Sequence, residues 1–240
     1  LGVIGIAIGT VLLPSISRLL SVNDTTAANH QQNRALEFSL FLTLPSAAAF
    51  IIIAGPILTT LFESAAFSAD DVDASAAALM VYAAGLPAYV IAKTLTPGYF
   101  ARKDTKTPVR FAMVSLLINT ILNIILIQYF AHVGLAAATA IAAWVNAGML
   151  YFGLRKRGHL ILEQQTIIRL MKCIIATITM AIIVYFASGI ISEWFIAEGY
   201  KRILALAALI LCGIGSYIIA IALLRTLTLA EIKGFLRPAA

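Results

Sequence analysis

The chain has 240 residues, of which 61% are hydrophobic and 12% charged, and its mean hydropathy is +0.97. A soluble domain is nearer half apolar and a quarter charged, so this composition excludes an ordinary soluble fold and makes a bilayer the natural solvent. The net charge of +6 does not indicate nucleic acid, because Lys and Arg fall in short clusters between apolar runs and not on one basic face.

The chain opens on "LGVIGIAIGT", already apolar and without a basic n-region or a small-residue cleavage site. It reads as a cut through a longer protein whose N-terminal part is missing, and not as a signal peptide. A spanning helix needs about 20 apolar residues, and seven such runs follow in order. They lie at about 1–19, 36–62, 75–101, 109–131, 133–154, 167–190 and 202–224, which predicts an all-α, polytopic membrane protein.

In the first run Gly5 and Gly9 form a small-xxx-small pair suited to close helix packing. The polar stretch 20–35 is a loop or a short helix outside the bilayer. Pro45 and Pro56 bend the second run. Pro87 and Pro97 bend or hinge the third, since each removes one helical hydrogen bond. "QYFAHVG" divides the fourth and fifth runs by a tight turn near 131–133, with Gly134 suited to end or start a helix. Cys173 and Cys212 fall inside apolar runs and read as small buried hydrophobes. His30, His132 and His159 fall at loops and read as solvated. There is no Walker A motif, no HExxH and no Ser/His/Asp arrangement, which speaks against an ATP-driven pump and against an enzyme.

Basic residues fix the orientation. Fourteen fall on one side: Arg18, Arg34, Arg102, Lys103, Lys106, Arg110, Arg155, Lys156, Arg157, Arg169, Lys172, Arg225, Lys233 and Arg237. The other side holds Lys201 and Arg202 with Glu63, Asp70, Asp71, Asp73, Glu193 and Glu198. The first side, with the C-terminus, is expected to be cytoplasmic.

Lys93 remains, inside a span. It lies nine residues before Arg102, roughly 13 Å inward, where an ammonium facing lipid costs about 2.5 kcal/mol or more. Either it faces a cavity as a cation for an anionic substrate, or its stem snorkels to the headgroups. Asn119 and Asn123 share a helix face, with Thr139 at similar depth on the next helix and Asn146 beyond it. They read either as interhelical hydrogen-bond glue or as oxygen donors for a sodium-type monovalent cation.

The segment "PGYFARKDTKTPVR" resembles the hallmark of the MurJ/MviN family of lipid II flippases. Pro97, Tyr99, Phe100, Ala101, Arg102, Lys103, Asp104, Thr105, Lys106, Thr107 and Pro108 match that family's order. "GVIGIAIGTVLLPSISRL" and "LPSAAAF...GPILTTLF" look like family segments too. Within the stretch, Pro87, Pro97, Gly98, Arg102, Asp104, Thr107 and Pro108 are the expected hinge and motif residues. Thr107 would cap the next helix with Pro108 at its first position, while Asp104 would pair with basic neighbours or hold the turn by an Asx-type bond.

The resemblance implies a fourteen-helix exporter fold of two six-helix lobes around a cationic cavity, with two extra helices forming a groove for a lipid tail. This chain would supply helices eight to fourteen. Residues 1–158 would be the partial C-terminal transport lobe, of about five spans. Residues 159–240 would be the two additional helices and a short cytoplasmic tail. The implied activity is translocation of lipid II from the cytoplasmic to the periplasmic leaflet by alternating access. The implied place is the bacterial inner membrane and the implied partners are lipid II, membrane lipids and the missing N-terminal half. No cofactor is expected beyond a monovalent cation, and no nucleic acid. The rival readings are an exporter of another polyprenyl-linked sugar or a drug, and a membrane scaffold that transports nothing.

Overall fold

The computed structural model describes residues 2–62, 68–196 and 200–224. The expectations for Glu63, Glu198, Arg225, Lys233 and Arg237 lie outside the described residues, as do those on the packing at Gly5 and on the side chain of Glu193. The described residues form only helices: α1 Gly2–Ser21, α2 Thr25–Ile52, α3 Ala54–Phe62, α4 Ala69–Phe100, α5 Lys106–Lys156, α6 Gln164–Ile190, α7 Ser192–Ile196 and α8 Tyr200–Leu223. Five of them, α2, α4, α5, α6 and α8, are long and apolar enough to cross a membrane.

α5 is two helices joined at a tight reversal. Ala131 sits there at φ 47 and ψ −128, a positive-φ conformation outside the left-handed helical region that costs a Cβ-bearing residue roughly 1–3 kcal/mol. The turn thus falls where the sequence put it, but Gly134 does not make it. Gly134 instead lets the returning arm cross the first: a Cβ there would lie 2.4 Å from the Leu126 carbonyl oxygen.

The second expected run is also two helices. The ladder breaks at Ile53 (φ −104, ψ 21), because Pro56 has no N–H to give the Ile52 carbonyl. By contrast α4 runs unbroken through Pro87 and Pro97. Next to each proline's orphaned carbonyl, a side chain from another helix bonds the following one. The Trp144 indole donates to Ala84 O at 3.0 Å and the Gln32 amide to Thr94 O at 2.6 Å, which offsets part of each lost bond.

The polar stretch before the second run is helical: α2 starts at Thr25, with the Asp24 carboxylate accepting from Ala27 N. His30 therefore stands on a helix and not in a loop. His132 is likewise helical and contacts Ala74 O at 2.9 Å. At the start of α4, Ser68 and Asp71 form a capping box, with Asp70 and Asp71 in the first turn, where carboxylates suit the helix dipole.

The two largest apolar cores among the described residues hold most of the bundle. One, built from Leu36, Leu95, Tyr99, Leu150, Leu154 and Leu160, joins α2, α4 and the second arm of α5. Above it α4 and that arm approach through small residues; a Cβ on Gly85 would sit 3.0 Å from Ala140 Cα. The other core joins α6 and α8 to the end of α2 through Ile53, Cys173, Met180, Val184 and Tyr217. Cys173 is buried as expected, while Cys212 is only half-buried.

Candidate functional site

The hallmark stretch closes α4 with a left-handed turn. Lys103 takes φ 59, its N–H donates to Phe100 O at 2.9 Å, and the Asp104 N–H reaches back to Tyr99 O at 3.1 Å. This is the paired end-bonding of a Schellman motif, here with Lys where glycine is commonest. Asn23 after α1 and Gly158 after α5 end their helices by the same pair of bonds. Three helices thus terminate alike at the end where the basic clusters gather.

The next helix starts at Lys106 with Thr105 at its cap position, so Thr107 lies in the first turn, and Asp104 serves that turn's N–H. Its Oδ1 accepts the Thr107 N–H at 3.0 Å, whereas Thr107 spends its hydroxyl on Arg157 Nη2 at 3.0 Å. A carboxylate is the stronger acceptor for a first-turn N–H, and Pro108 follows within that turn. The other Asp104 oxygen takes Arg157 Nη1. The partner is therefore an arginine 53 residues away in sequence and not a basic neighbour. Hydrogen bonds from the Thr107 side chain, from Arg157 and from the Thr107 backbone hold the Asp104 carboxyl well below the usual carboxylate range. Arg157 also lies over the Tyr99 ring, 5.7 Å from its centroid. The Tyr99 hydroxyl donates to Leu150 O at 2.8 Å.

Arg102 turns inward. It donates to Gly98 O at 2.7 Å and to His159 O at 3.4 Å, and desolvation lowers its pKa. Burial, then the positive fields of Arg102 and Arg157, lower the His159 pKa, so the imidazole is neutral at pH 7. Gly98 is required by space, since a Cβ there would meet Gln32 Oε1 at 2.7 Å.

A second polar set, absent from the sequence reading, joins α2 to the start of α6. Asn29 exchanges two bonds with Ile161, Nδ2 to O at 2.9 Å and N–H to Oδ1 at 2.8 Å. Asn33 Nδ2 donates to Ile161 O at 2.9 Å, and His30 meets Glu163 at 2.9 Å. One turn further, buried Glu37 accepts from Thr166 Oγ1 at 2.6 Å, Arg169 at 2.9 Å and Arg34 at 3.1 Å. The signal was present: Asn29, Asn33 and Glu37 recur every four residues and share a helix face.

Deeper in, Lys93 is exposed on α4. Among the described residues no carboxylate pairs with it. α1 abuts its backbone, a Cβ on Gly9 lying 3.7 Å from Lys93 O. The sequence-predicted polar trio does come together. Asn119 Nδ2 donates to Thr139 Oγ1 at 3.3 Å and Asn123 Nδ2 to Asn119 Oδ1 at 3.0 Å. Asn123 Oδ1 and Asn146 Oδ1 are buried without a hydrogen-bond partner. A cavity of about 270 Å³ opens between Asn119, Thr139, Asn146, Ser115 and Tyr89. On the opposite flank an apolar groove of about 530 Å³ runs between α2 and α3 on one side and α6 and α8 on the other, lined by Phe41, Pro45, Ile57, Met180, Val184 and Ile214.

Comparison with known proteins places this geometry. The family model described as "Lipid II flippase MurJ" matches residues 1–206. Relatives named "Probable lipid II flippase MurJ" include two that cover most of this chain. The one from Rhizobium meliloti is 40% identical over 215 residues, 89% of this chain and 39% of its own length. The one from Vibrio cholerae is 33% identical over 234 residues, 98% of this chain and 44% of its own. A solved structure, "Lipid II flippase MurJ, inward closed conformation", superposes with a TM-score of 0.75 at 29% identity, covering 92% of this chain and 43% of that one. The chain thus spans well under half the length of these relatives. Its helices, its hallmark turn and this match over residues 1–206 together make it a multi-pass membrane protein of the MurJ lipid II flippase family.

Proposed function

We propose that this chain is the C-terminal half of a transporter that carries lipid II from the cytoplasmic to the periplasmic leaflet of the bacterial inner membrane, with its basic end and C-terminus cytoplasmic. The family match over residues 1–206 carries this reading. The physics of the task agrees with it. A pyrophosphate-linked sugar head must cross a low-dielectric slab, so the protein must offer a polar, basic cavity, while the polyprenyl tail needs an apolar path. Lys93 stands exposed at depth as the cation of this half. The groove between α2 and α3 on one side and α6 and α8 on the other is the path for the tail, with residues 159–240 as the unit that supplies its second wall. Rocking of the two lobes would alternate access, and each cavity charge would feel about 2.3 kcal/mol per 100 mV.

The test is complementation by the full-length protein in flippase-depleted cells. Wild type restores growth, and Lys93→Ala abolishes rescue at unchanged expression; growth restored equally by the variant removes Lys93 from the mechanism. Asn123 Oδ1, buried without a partner, is the donor that supports a monovalent cation with Asn119 and Thr139. Sodium should raise the melting temperature of wild type and not of Asn123→Leu, and equal shifts in both would refute the cation.

A further inference from the structure

α4 has two weak points, and Lys93 lies between them. Pro87 and Pro97 stand inside the helix, and each deprives the carbonyl four residues earlier of its N–H. For Pro97 that carbonyl belongs to Lys93 itself. Beside both gaps the backbone is bonded from outside the helix. The Trp144 indole, on the second arm of α5, donates to Ala84 O at 3.0 Å. From α2, the Gln32 amide donates to Thr94 O at 2.6 Å, and Ser39 Oγ lies 2.8 Å from Thr94 Oγ1. Thr94 and Gln32 are buried, while Lys93, the next residue round the helix from Thr94, is exposed.

Trp144 stands twelve residues before Lys156, about 18 Å from the basic end. That is within the hydrocarbon and away from the interfaces where tryptophan gathers. Its N–H has no water to turn to at that depth, so losing Ala84 O would strand it. The segment being held is one that bends readily. The Thr94 and Thr96 hydroxyls donate back to Val90 O at 2.8 Å and Ala92 O at 2.7 Å, a pattern that favours helix bending.

We infer that Trp144 and Gln32 are positioning residues for Lys93: they pin α4 on either side of it, and release of either lets the helix bend and swing the ammonium away. A 20° kink at Pro87 carries Lys93, six residues and about 9 Å further along the axis, sideways by about 3 Å. That displacement is enough to break a charge-assisted hydrogen bond to an anionic oxygen. Its bearing on transport rests on the reading of Lys93 as the cation of this half; the pinning of α4 does not.

The experiment uses the full-length protein in detergent, with hydrogen exchange read by mass spectrometry on α4 peptides between residues 83 and 97. Trp144→Phe keeps a ring and removes the N–H, and should speed exchange there about tenfold. Pro87→Ala restores the missing helical bond, so adding Trp144→Phe to it should leave exchange as in Pro87→Ala alone. Gln32→Met, with and without Pro97→Ala, should follow the same pattern. Side chains that merely fill space predict the same increase with and without the proline; that result, or no increase at all, overturns the pinning. Complementation of flippase-depleted cells then reads transport. Trp144→Phe should rescue less well than wild type at matched expression, and Pro87→Ala/Trp144→Phe as well as Pro87→Ala. If Trp144→Phe rescues like wild type while Lys93→Ala fails, the link from the pins to Lys93 is refuted. Rescue by Lys93→Ala removes the transport role of Lys93, and the exchange result alone then decides the pinning.

Discussion

Gly153→Ala tests how tightly the hallmark turn is packed. Gly153 lies in the second arm of α5, and a Cβ there would stand 2.3 Å from the Tyr99 hydroxyl and 3.0 Å from Phe111 Cε2. Tyr99 cannot simply yield, because it is 1% exposed and its hydroxyl bonds Leu150 O at 2.8 Å. Overpacking costs about 1–3 kcal/mol, and breaking that buried hydrogen bond about 1–3 more. The helical preference for Ala over Gly returns about 1 kcal/mol. The middle of these ranges is a net loss of about 3 kcal/mol, which in a chain of this size lowers the melting temperature by roughly 6–12 °C. Gly148, on the same arm, has nothing within 4 Å of its virtual Cβ, so Gly148→Ala should instead be neutral or stabilise by about 0.5–1 kcal/mol. Thermal unfolding in detergent reads both. Tyr99→Phe removes the closest clashing atom, so its loss and that of Gly153→Ala should combine to less than their sum. A Gly153→Ala protein as stable as wild type, or strict additivity with Tyr99→Phe, would refute the packing argument.

The Asp104 carboxyl is held below its ordinary pKa when folded, so its contribution is present above the unfolded value near 3.9 and is lost as pH falls from about 4 toward the folded pKa. Wild type should therefore melt above Asp104→Asn at pH 7 and converge with it in strong acid, as read by melting curves across pH; a gap independent of pH counts against the ion pair. Glu37→Ala removes the acceptor shared by Arg34, Arg169 and the Thr166 hydroxyl and should cost about 1–3 kcal/mol, with Glu37→Gln closer to wild type. At the hairpin, Gly134→Ala drives a Cβ into backbone at 2.4 Å and should cost about 3 kcal/mol. Ala131→Gly relieves a positive φ and should be neutral or better. The same melting assay ranks these variants, and the reverse order would show that the turn is misplaced.

Much of this architecture was legible because its causes are local. Apolar runs of spanning length, the polar break near 131 and the two-sided charge distribution all follow from a bilayer acting as solvent. Pairings that depend on where helices meet were not. Asp104 was legible as a turn residue, but its partner Arg157 is brought there by two separate helix ends stopping at the same level. Thr107 resembled an N-cap until Asp104, three residues earlier, took the N–H that a cap would serve. Pro56 broke its helix while Pro87 and Pro97 did not. For those two, Trp144 and Gln32 bond the carbonyls next to the gap, and no single-helix rule contains a neighbour's side chain.

The polar residues of α2 show the same limit from the other side. The polar stretch 20–35 reads as a loop or a short helix, and from residue 29 to residue 37 every fourth residue bonds α6 or the linker before it. A helix that is polar on one face outside the bilayer and apolar on that same face within it changes solvent partway along. Arg34, Glu37 and Phe41 mark that change on successive turns. The stripe therefore carries two messages in one register. Its lower part ties the last two long helices to the rest of the bundle, and its upper part leaves them far enough from α2 to open the groove. A substitution at Glu37 should thus be felt in stability, through the tie it makes to Thr166 and Arg169 on α6.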